Sequence, residues 1–352
     1  MARENKTFVL AERPKKNFVP GKTFRLEKAP APTADDLKDG QVLLESLYLS
    51  LDPAMRGWVN DARSYLPPVK LGETMRGGTI SRVIASKNPN AKEGDIVTAM
   101  IGWTEVAIAG EKEFQKLEVP KGGRITDLLG VLGLTGMTAW TGLERIGKPQ
   151  AGETVVVSGA AGATGSVVGQ IAKQRGARVV GIAGSADKCA WLTEELGFDA
   201  ALNYKSPTFR QDLAAATPDY IDVYWDNVGG EILEAALDRA KLRARFVMCG
   251  SISGYNAPKD EAKGVRNLHQ VVAQRIRMEG FIVFDFAEDF PRARAEIGQW
   301  LSEGKLKRKE TIVKGGLEKA EYAILNLFEG NNTGKLLVEV KSPDEVRGNA
   351  KL

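Results

Sequence analysis

The chain has 352 residues, 43% of them hydrophobic, and its 49 Lys and Arg nearly balance 45 Asp and Glu, leaving a formal charge of +4. That length suits about two domains with real cores; the near-neutral charge, with no long basic run or interleaved aromatic stripe, argues against a nucleic-acid surface. No run approaches the roughly 18 apolar residues that span a bilayer, and the N-terminal MARENKTF has no apolar signal segment, so no membrane partner and a cytoplasmic location are expected.

Along the chain, residues 8 to about 128 are short β-like runs broken by Pro and Gly, among them QVLLESLYLSL, GGTISRVIAS and DIVTAMIGWTEVAI. They predict a barrel-like β domain. From about residue 129, apolar strands alternate with helical segments, with strands expected at 154–158, 178–183, 200–203, 222–225, 245–249 and 278–283. Six strands in that rhythm predict an α/β unit, a doubly wound parallel sheet with helices on both faces. After a helix through Gln299 and Trp300, the tail LLVEV from Leu336 is a strand expected to return to the first domain. The expected domains are therefore 1–128 with 309–352, and 129–308.

The most informative stretch is VVVSGAAGATGSVVGQIAK. Val155, Val156 and Val157 read as a strand buried on both faces, which passes through a glycine-rich turn into an amphipathic helix. Ala160, Gly162 and Gly165 fill the three spaced positions of G-x-G-x-x-G, with Ala163 and Thr164 between the last two. In that setting backbone N–H groups can approach a pyrophosphate at the helix start, so a dinucleotide is expected. About 20 residues on, an Asp or Glu usually meets a free ribose 2′-OH. Here the second apolar run ends instead in Ser185 and Lys188. A hydroxyl and an ammonium can bind a 2′-phosphate, which favours NADP(H). Equally, Ser185 can cap the next helix and Lys188 can be an ordinary solvated lysine; for Ser185 both readings hold together.

The two cysteines, Cys189 and Cys249, cannot form a disulfide framework. Cys249 ends the run ARFVMC before Gly250, at the carboxyl end of a strand where ligands lie in such sheets. His269, the only histidine, sits in the helical pattern NLHQVVAQRI with neither cysteine close in sequence. Catalytic zinc needs three protein ligands, so no metal site is expected, and a zinc alcohol dehydrogenase and a Ser-His-Asp hydrolase are both disfavoured.

Eight segments in order extend this reading: YLSLDPAMRG, SYLPPVKLGETMRGG, GLTGMTAWTGL, the glycine-rich turn, WDNVGG, CGSISGYN, GFIV and GNNTGK. The set resembles the zinc-independent medium-chain dehydrogenase/reductases, specifically the NADPH-dependent alkenal/one oxidoreductases that include prostaglandin and curcumin reductases. The resemblance covers nearly the whole chain, and the SYLPP block looks closest to the microbial curcumin-reductase-like branch. It implies a Rossmann sheet of six parallel strands with a GroES-like β-barrel as the substrate domain, and a homodimer formed near Phe281.

The same resemblance implies cofactor contacts at Thr138, Ala160, Gly162, Ala163, Thr164, Gly165, Ser185, Lys188 and Tyr204. It adds Asn227, Cys249, Gly250, Ser251, Ile252, Tyr255, Phe281, Ile282, Val283 and Asn332. From the residues alone, Asn227 is as readily a turn former before Gly229, Tyr204 an interfacial aromatic, Phe281 to Val283 core, and Asn332 a loop residue. Tyr255 resembles the tyrosine beside the nicotinamide ribose and substrate carbonyl, where a phenol can donate to a developing oxyanion. Asp52, Met55 and Arg56 look like the family's substrate loop, with a structural role equally open, and Tyr65 is an alternative aromatic wall. The chain has Ala54 where many relatives carry tyrosine and Thr135 where many carry proline, which bears on pocket size. The expected activity is NADPH-dependent reduction of the C=C bond of α,β-unsaturated ketones or aldehydes. A quinone oxidoreductase of the same fold and a catalytically silent NADPH-binding protein are the alternatives.

Overall fold

The computed structural model describes residues 3–258, 261 and 264–343; Met1 and Ala2, and residues 344–352 of the expected first domain, lie outside it. The chain opens with a ribbon of β1 (Glu4–Leu10) and β2 (Phe24–Pro30). β3 (Val42–Leu51) is buried at every position, as a strand covered on both faces must be. The short helix α1 (Met55–Trp58) follows, then β4 (Thr79–Ser86), β5 (Ile96–Ala99), β6 (Val106–Ala109) and β7 (Phe114–Gln115). The run DIVTAMIGWTEVAI thus divides into two strands. The break is at Gly102, whose φ of +80° and position, with a Cβ that would lie 2.5 Å from the Met75 carbonyl oxygen, exclude any side chain. It delivers Trp103 into the core, edge-on to Phe8 at 5.9 Å and tilted against Phe24 at 4.9 Å.

The second sheet follows from α2 (Leu134–Gly142). Its strands and helices alternate: β8 (Thr154–Val157), α3 (Ala163–Gln174), β9 (Arg178–Ala183), α4 (Ala186–Ala190), β10 (Ala200–Asn203) and α5 (Phe209–Ala216). Then come β11 (Ile221–Asp226), α6 (Gly230–Asp238), β12 (Ala240–Met248), α7 (His269–Ala273), β13 (Arg277–Gly280) and α8 (Phe290–Ser302). The order β10-β9-β8-β11-β12-β13 is parallel throughout. Val155 and Val157 face one apolar cluster and Val156 the other, all without solvent contact. Each such valine contributes about 2 kcal/mol of burial.

Three sequence expectations need correction. β12 starts at Ala240 rather than Arg245, because Arg243 takes φ +62° and the register shifts between Ile221 and Val223, letting the strand begin earlier. β13 stops at Gly280, so Phe281, Ile282 and Val283 are not strand; Phe281 turns its ring onto Trp225 at 5.8 Å. The helical pattern around His269 yields only five helical residues, with His269 exposed.

The tail returns as expected. β14 (Glu310–Val313) is followed by α9 (Ala320–Glu329) and β15 (Lys335–Glu339), and β15 lies between β14 and β3. The seven-stranded sheet therefore runs β14-β15-β3-β4-β5-β7, with β6 also on β3. Among the described residues no helix is long and apolar enough to cross a membrane.

Candidate active site

The glycine-rich turn leaves β8 with Gly159 at φ +57°, the left-handed region that favours glycine. The Ala160 N–H bonds the Ile182 carbonyl at 2.9 Å, tying the turn to the neighbouring strand. A Cβ on Gly165 would lie 2.4 Å from the Gly159 oxygen, so the helix can approach the turn this closely only with glycine there. Gly162 is the N-cap in extended conformation, and Ala163, Thr164 and Gly165 form the first turn of α3. Their N–H groups have no carbonyl one turn back, and no acidic residue sits in that turn. The result is an electropositive cradle for an anion.

The β11 turn is braced against it. Asp226 is fully buried, and its Oδ1 accepts from Ser158 Oγ at 2.9 Å, Tyr224 Oη at 3.0 Å, Val228 N at 3.0 Å and Gly229 N at 2.9 Å. Its backbone oxygen takes the N–H groups of Cys249 and Gly250 at 2.9 and 3.0 Å. One aspartate thus fixes the ends of three strands. Sequence reading passed over it; its signal was a carboxylate directly after the hydrophobic stretch Val223–Trp225. Asn227 donates from Nδ2 to the Ser158 carbonyl at 2.7 Å and accepts from Trp225 Nε1 at 3.0 Å. Its amide is used to join the two turns, as a turn-forming asparagine would be. Burial, and then Asp226, push the Cys249 thiol up to about 12. The sulfur is therefore a neutral wall, and the backbone of Cys249, Gly250, Ser251 and Ile252 shapes the turn, with Ile252 N bonded to the Asn227 oxygen at 3.2 Å.

At the far end of the cradle Ser185 caps α4, accepting from Lys188 N at 3.4 Å. The Lys188 ammonium donates to the Gly330 carbonyl at 2.7 Å. Burial and the neighbouring Lys205 both lower its pKa, and no carboxylate acts on it. Tyr204 lies close over Gly184, where a Cβ would be 3.0 Å from the ring, and the Lys205 ammonium is 5.9 Å from its centroid. Two cations, an exposed phenol and a hydroxyl converge here. Lys205 was missed from sequence because a lysine after a strand end carries no signal of its own.

The returning tail closes the cradle. Gly334 N donates to the Ala161 carbonyl at 2.8 Å, and a Cβ at Gly334 would fall 1.9 Å from the Lys309 oxygen. Buried Asn332 donates to the Gly334 carbonyl at 3.0 Å, so its side chain shapes that loop. Thr138, half-buried on α2, back-bonds to the Leu134 carbonyl at 2.7 Å, and Thr135 reaches the Gly130 carbonyl at 2.8 Å.

Two phenols distant in sequence, Tyr255 and Tyr65, come within electrostatic reach of each other. Tyr255 follows a tight turn at Ile252–Gly254, and its oxygen accepts the Ser251 N–H at 3.2 Å. Burial raises its pKa, against that bond, and Cys249, Tyr65 and Asp226 add to the rise. Tyr65 accepts from Trp58 Nε1 at 2.8 Å, and partial loss of solvent raises its pKa too. Each phenol oxygen already accepts one N–H, which leaves its own proton to donate.

Of the two readings open for the substrate loop, the contacts of Met55, Arg56 and Asp52 favour the structural one. Met55 is wholly buried in the first-domain core. Arg56 is 3% exposed and bonds the Lys16 carbonyl at 2.8 Å, the Pro14 carbonyl at 2.9 Å and Asn60 Oδ1 at 2.5 Å. It ties the segment before β2 to α1. Asp52 gives its carboxylate to Lys335 Nζ at 2.5 Å and to Ser50 Oγ. Ala54 is the residue before α1.

A parallel sheet with a glycine-rich turn, two neighbouring lysines and a second, strand-rich part joined to the turn through Gly334 is the architecture of a two-domain, dinucleotide-dependent oxidoreductase. Comparison with known proteins narrows the class. The family model described as the N-terminal domain of oxidoreductase matches residues 6–117, and that described as zinc-binding dehydrogenase matches 163–299. The NADPH-dependent curcumin reductase of Escherichia coli is 42% identical over 345 residues, covering 97% of this chain and 98% of that protein. A NADP-dependent 2-alkenal reductase of Nicotiana tabacum is 40% identical over 304 residues, covering 85% and 87%. The solved structure of CurA from Vibrio vulnificus in complex with NADPH superposes with a TM-score of 0.88 at 40% identity, over 96% of this chain and 100% of that one. The chain belongs to the medium-chain dehydrogenase/reductases, in the NADP-dependent branch that holds these double-bond reductases. Although one matching model is described as zinc-binding, no group of three His, Cys, Asp or Glu side chains suited to a metal occurs among the described residues.

Proposed function

We propose that this chain reduces the C=C bond of α,β-unsaturated ketones and aldehydes with NADPH, without a metal. The carrying observation is the pair of phenols, Tyr255 and Tyr65, each of which accepts one N–H and keeps a proton to donate, in a chain that also carries the anion cradle and the neighbouring Lys188 and Lys205. When bound, NADPH supplies the hydride that adds to the β-carbon of the enone.

The chain's own groups do the rest. The α3 N-terminus and the turn at Ala160, Gly162 and Gly165 hold the pyrophosphate, and Lys188, Lys205, Tyr204 and Ser185 hold the 2′-phosphate. Thr138, Asn332 and the segments at Cys249 to Ile252 and Phe281 to Val283 enclose the nicotinamide end. Asn227 and Asp226 keep the turns in place. Tyr255 holds its proton on the phenol oxygen and donates a hydrogen bond to the substrate carbonyl as negative charge develops there; a fixed donor needs no reorganisation at that moment. The α-carbon then takes a proton from solvent or through that phenol. Tyr65 forms the opposite aromatic wall. We take the domains to be 1–128 with 309–352, and 129–308, with the site in the cleft between them. We further take the chain to act as a cytoplasmic homodimer joined near Phe281, at the β13 edge.

The test is NADPH oxidation with a panel of enones, alkenals and quinones. Turnover of enones with double-bond-reduced products is the expected result. Brisk quinone reduction without enone turnover would replace this reading by the quinone oxidoreductase one, and no turnover of either class would leave an NADPH-binding protein.

A further inference from the structure

The proposal concerns Lys335, the last residue of the GNNTGK segment, to which the sequence assigned no role. It is buried, and its ammonium donates to Asp52 Oδ1 at 2.5 Å and to the Leu51 carbonyl at 3.2 Å. Ser50 Oγ holds the other oxygen of Asp52. Lys335 opens β15, whose next residue, Leu336, pairs with Leu51, so the ion pair closes the last rung between the tail and the strand that leads into the substrate loop. One residue earlier, Gly334 N is bonded to the Ala161 carbonyl of the glycine-rich turn, and Gly334 bridges Gly162. Asp52 also acts on the phenol of Tyr65. Two successive tail residues therefore hold, one the glycine-rich turn and the other the segment that leads to Tyr65.

We propose that the Lys335–Asp52 pair is a positioning device that sets the substrate wall at a fixed distance from the cofactor cradle. Lys335 and Asp52 act through the loops they hold and touch no reacting atom. A hydride crosses only when donor and acceptor are held near contact, so slack in this rung lowers the rate of transfer with little loss of cofactor affinity. Gly334 keeps its backbone bond to Ala161 whatever side chain stands at 335, which separates the two effects.

The inference rests on the enone-reductase reading, and the experiment separates the two. The double variant Asp52→Asn with Lys335→Met removes both charges together, avoiding an orphaned buried ion. In the unaltered protein, enone turnover tests the reading itself; the variant tests the pair. Expected results are a melting temperature within a few degrees of the parent and an NADPH dissociation constant, by fluorescence titration, within about twofold. At saturating enone, kcat should fall roughly tenfold or more with a larger primary isotope effect from deuterated NADPH, and amides at 330–335 should exchange faster. An unchanged kcat, or a lower kcat/KM arising wholly from weaker NADPH binding, would overturn the proposal. If the double variant does not fold, Asp52→Glu keeps both charges and lengthens the arm by one methylene. A kcat drop at unchanged NADPH affinity supports the pair there too, and parental kcat overturns it.

Discussion

The glycine-rich turn and the loop from Ser50 to Tyr65 are held by successive residues of the returning tail, yet they are built in opposite ways. In the turn the backbone makes the site: Gly159 is needed for its left-handed φ and Gly165 for its lack of a Cβ, and their neighbours are a few residues away or on the adjacent strand. In the loop, polar side chains decide, and their partners lie far along the chain. Arg56 reaches Pro14, 42 residues back, and Asp52 reaches Lys335, 283 residues on. A local motif foretells the first kind of site. A charged residue in a family-like loop does not reveal whether it faces substrate or binds the other end of the protein.

The largest effect should come from breaking the backbone side. Gly165→Val forces a side chain into the 2.4 Å gap to the Gly159 oxygen and should weaken NADPH binding roughly a hundredfold or more, read by titration. If binding survives, the cradle does not depend on close approach of helix and turn.

Next is the donor in the cleft. Tyr255→Phe should slow single-turnover reduction roughly a hundredfold, with NADPH affinity nearly unchanged. An unaltered rate would take the phenol out of the chemistry. Because the Tyr255 pKa is raised from 10.0, the proton stays in place through neutral and mildly alkaline pH, so this phenol contributes no falling limb to the rate below that value.

A smaller change is expected at the phosphate pocket. Lys188→Ala should raise the NADPH dissociation constant about tenfold and leave that for NADH alone. Equal effects on both would reject the assignment. With its pKa lowered from 10.5, Lys188 loses its charge earlier than an ordinary lysine as pH rises. The preference for NADPH over NADH should therefore decline with rising pH from below 10.5, while NADH binding stays flat.

The smallest catalytic effect belongs to Arg56→Met. It leaves the Lys16 and Pro14 carbonyls without their donor, at about 1–3 kcal/mol each where no water replaces it. The melting temperature should fall by several degrees while KM for the enone holds. A raised KM at parental stability would return Arg56 to the pocket.

Much of the fold was legible because its signals are periodic. The valines of β8, the alternation of strands and helices, and the returning strand at Leu336 all follow from which faces must be buried. Boundaries failed where a single backbone event intervened, as at Gly102, which divides one apolar run into two strands, or after Gly280, where Phe281 prefers the face of Trp225 to another rung of sheet. Of the candidate site, Ser185 and Lys188 were proposed from their place after a strand end, and Tyr255 from the family resemblance. Asp226 and Lys205 were not, because convergence of donors or of like charges exists only once separate strand ends are side by side.

By itself, then, the sequence determined a dinucleotide turn without a ribose-binding carboxylate and a residue inventory too poor in histidine and cysteine for the zinc sites it was weighed against. Those are matters of local spacing and of count. Only the tertiary structure decided that Met55 and Arg56 are packing residues, that Asn227 spends its amide on the neighbouring turn, and that Gly334 and Lys335 hold the glycine-rich turn and the segment that leads to Tyr65. Such choices depend on which distant groups a buried polar atom must find as partners, and only the folded chain supplies them.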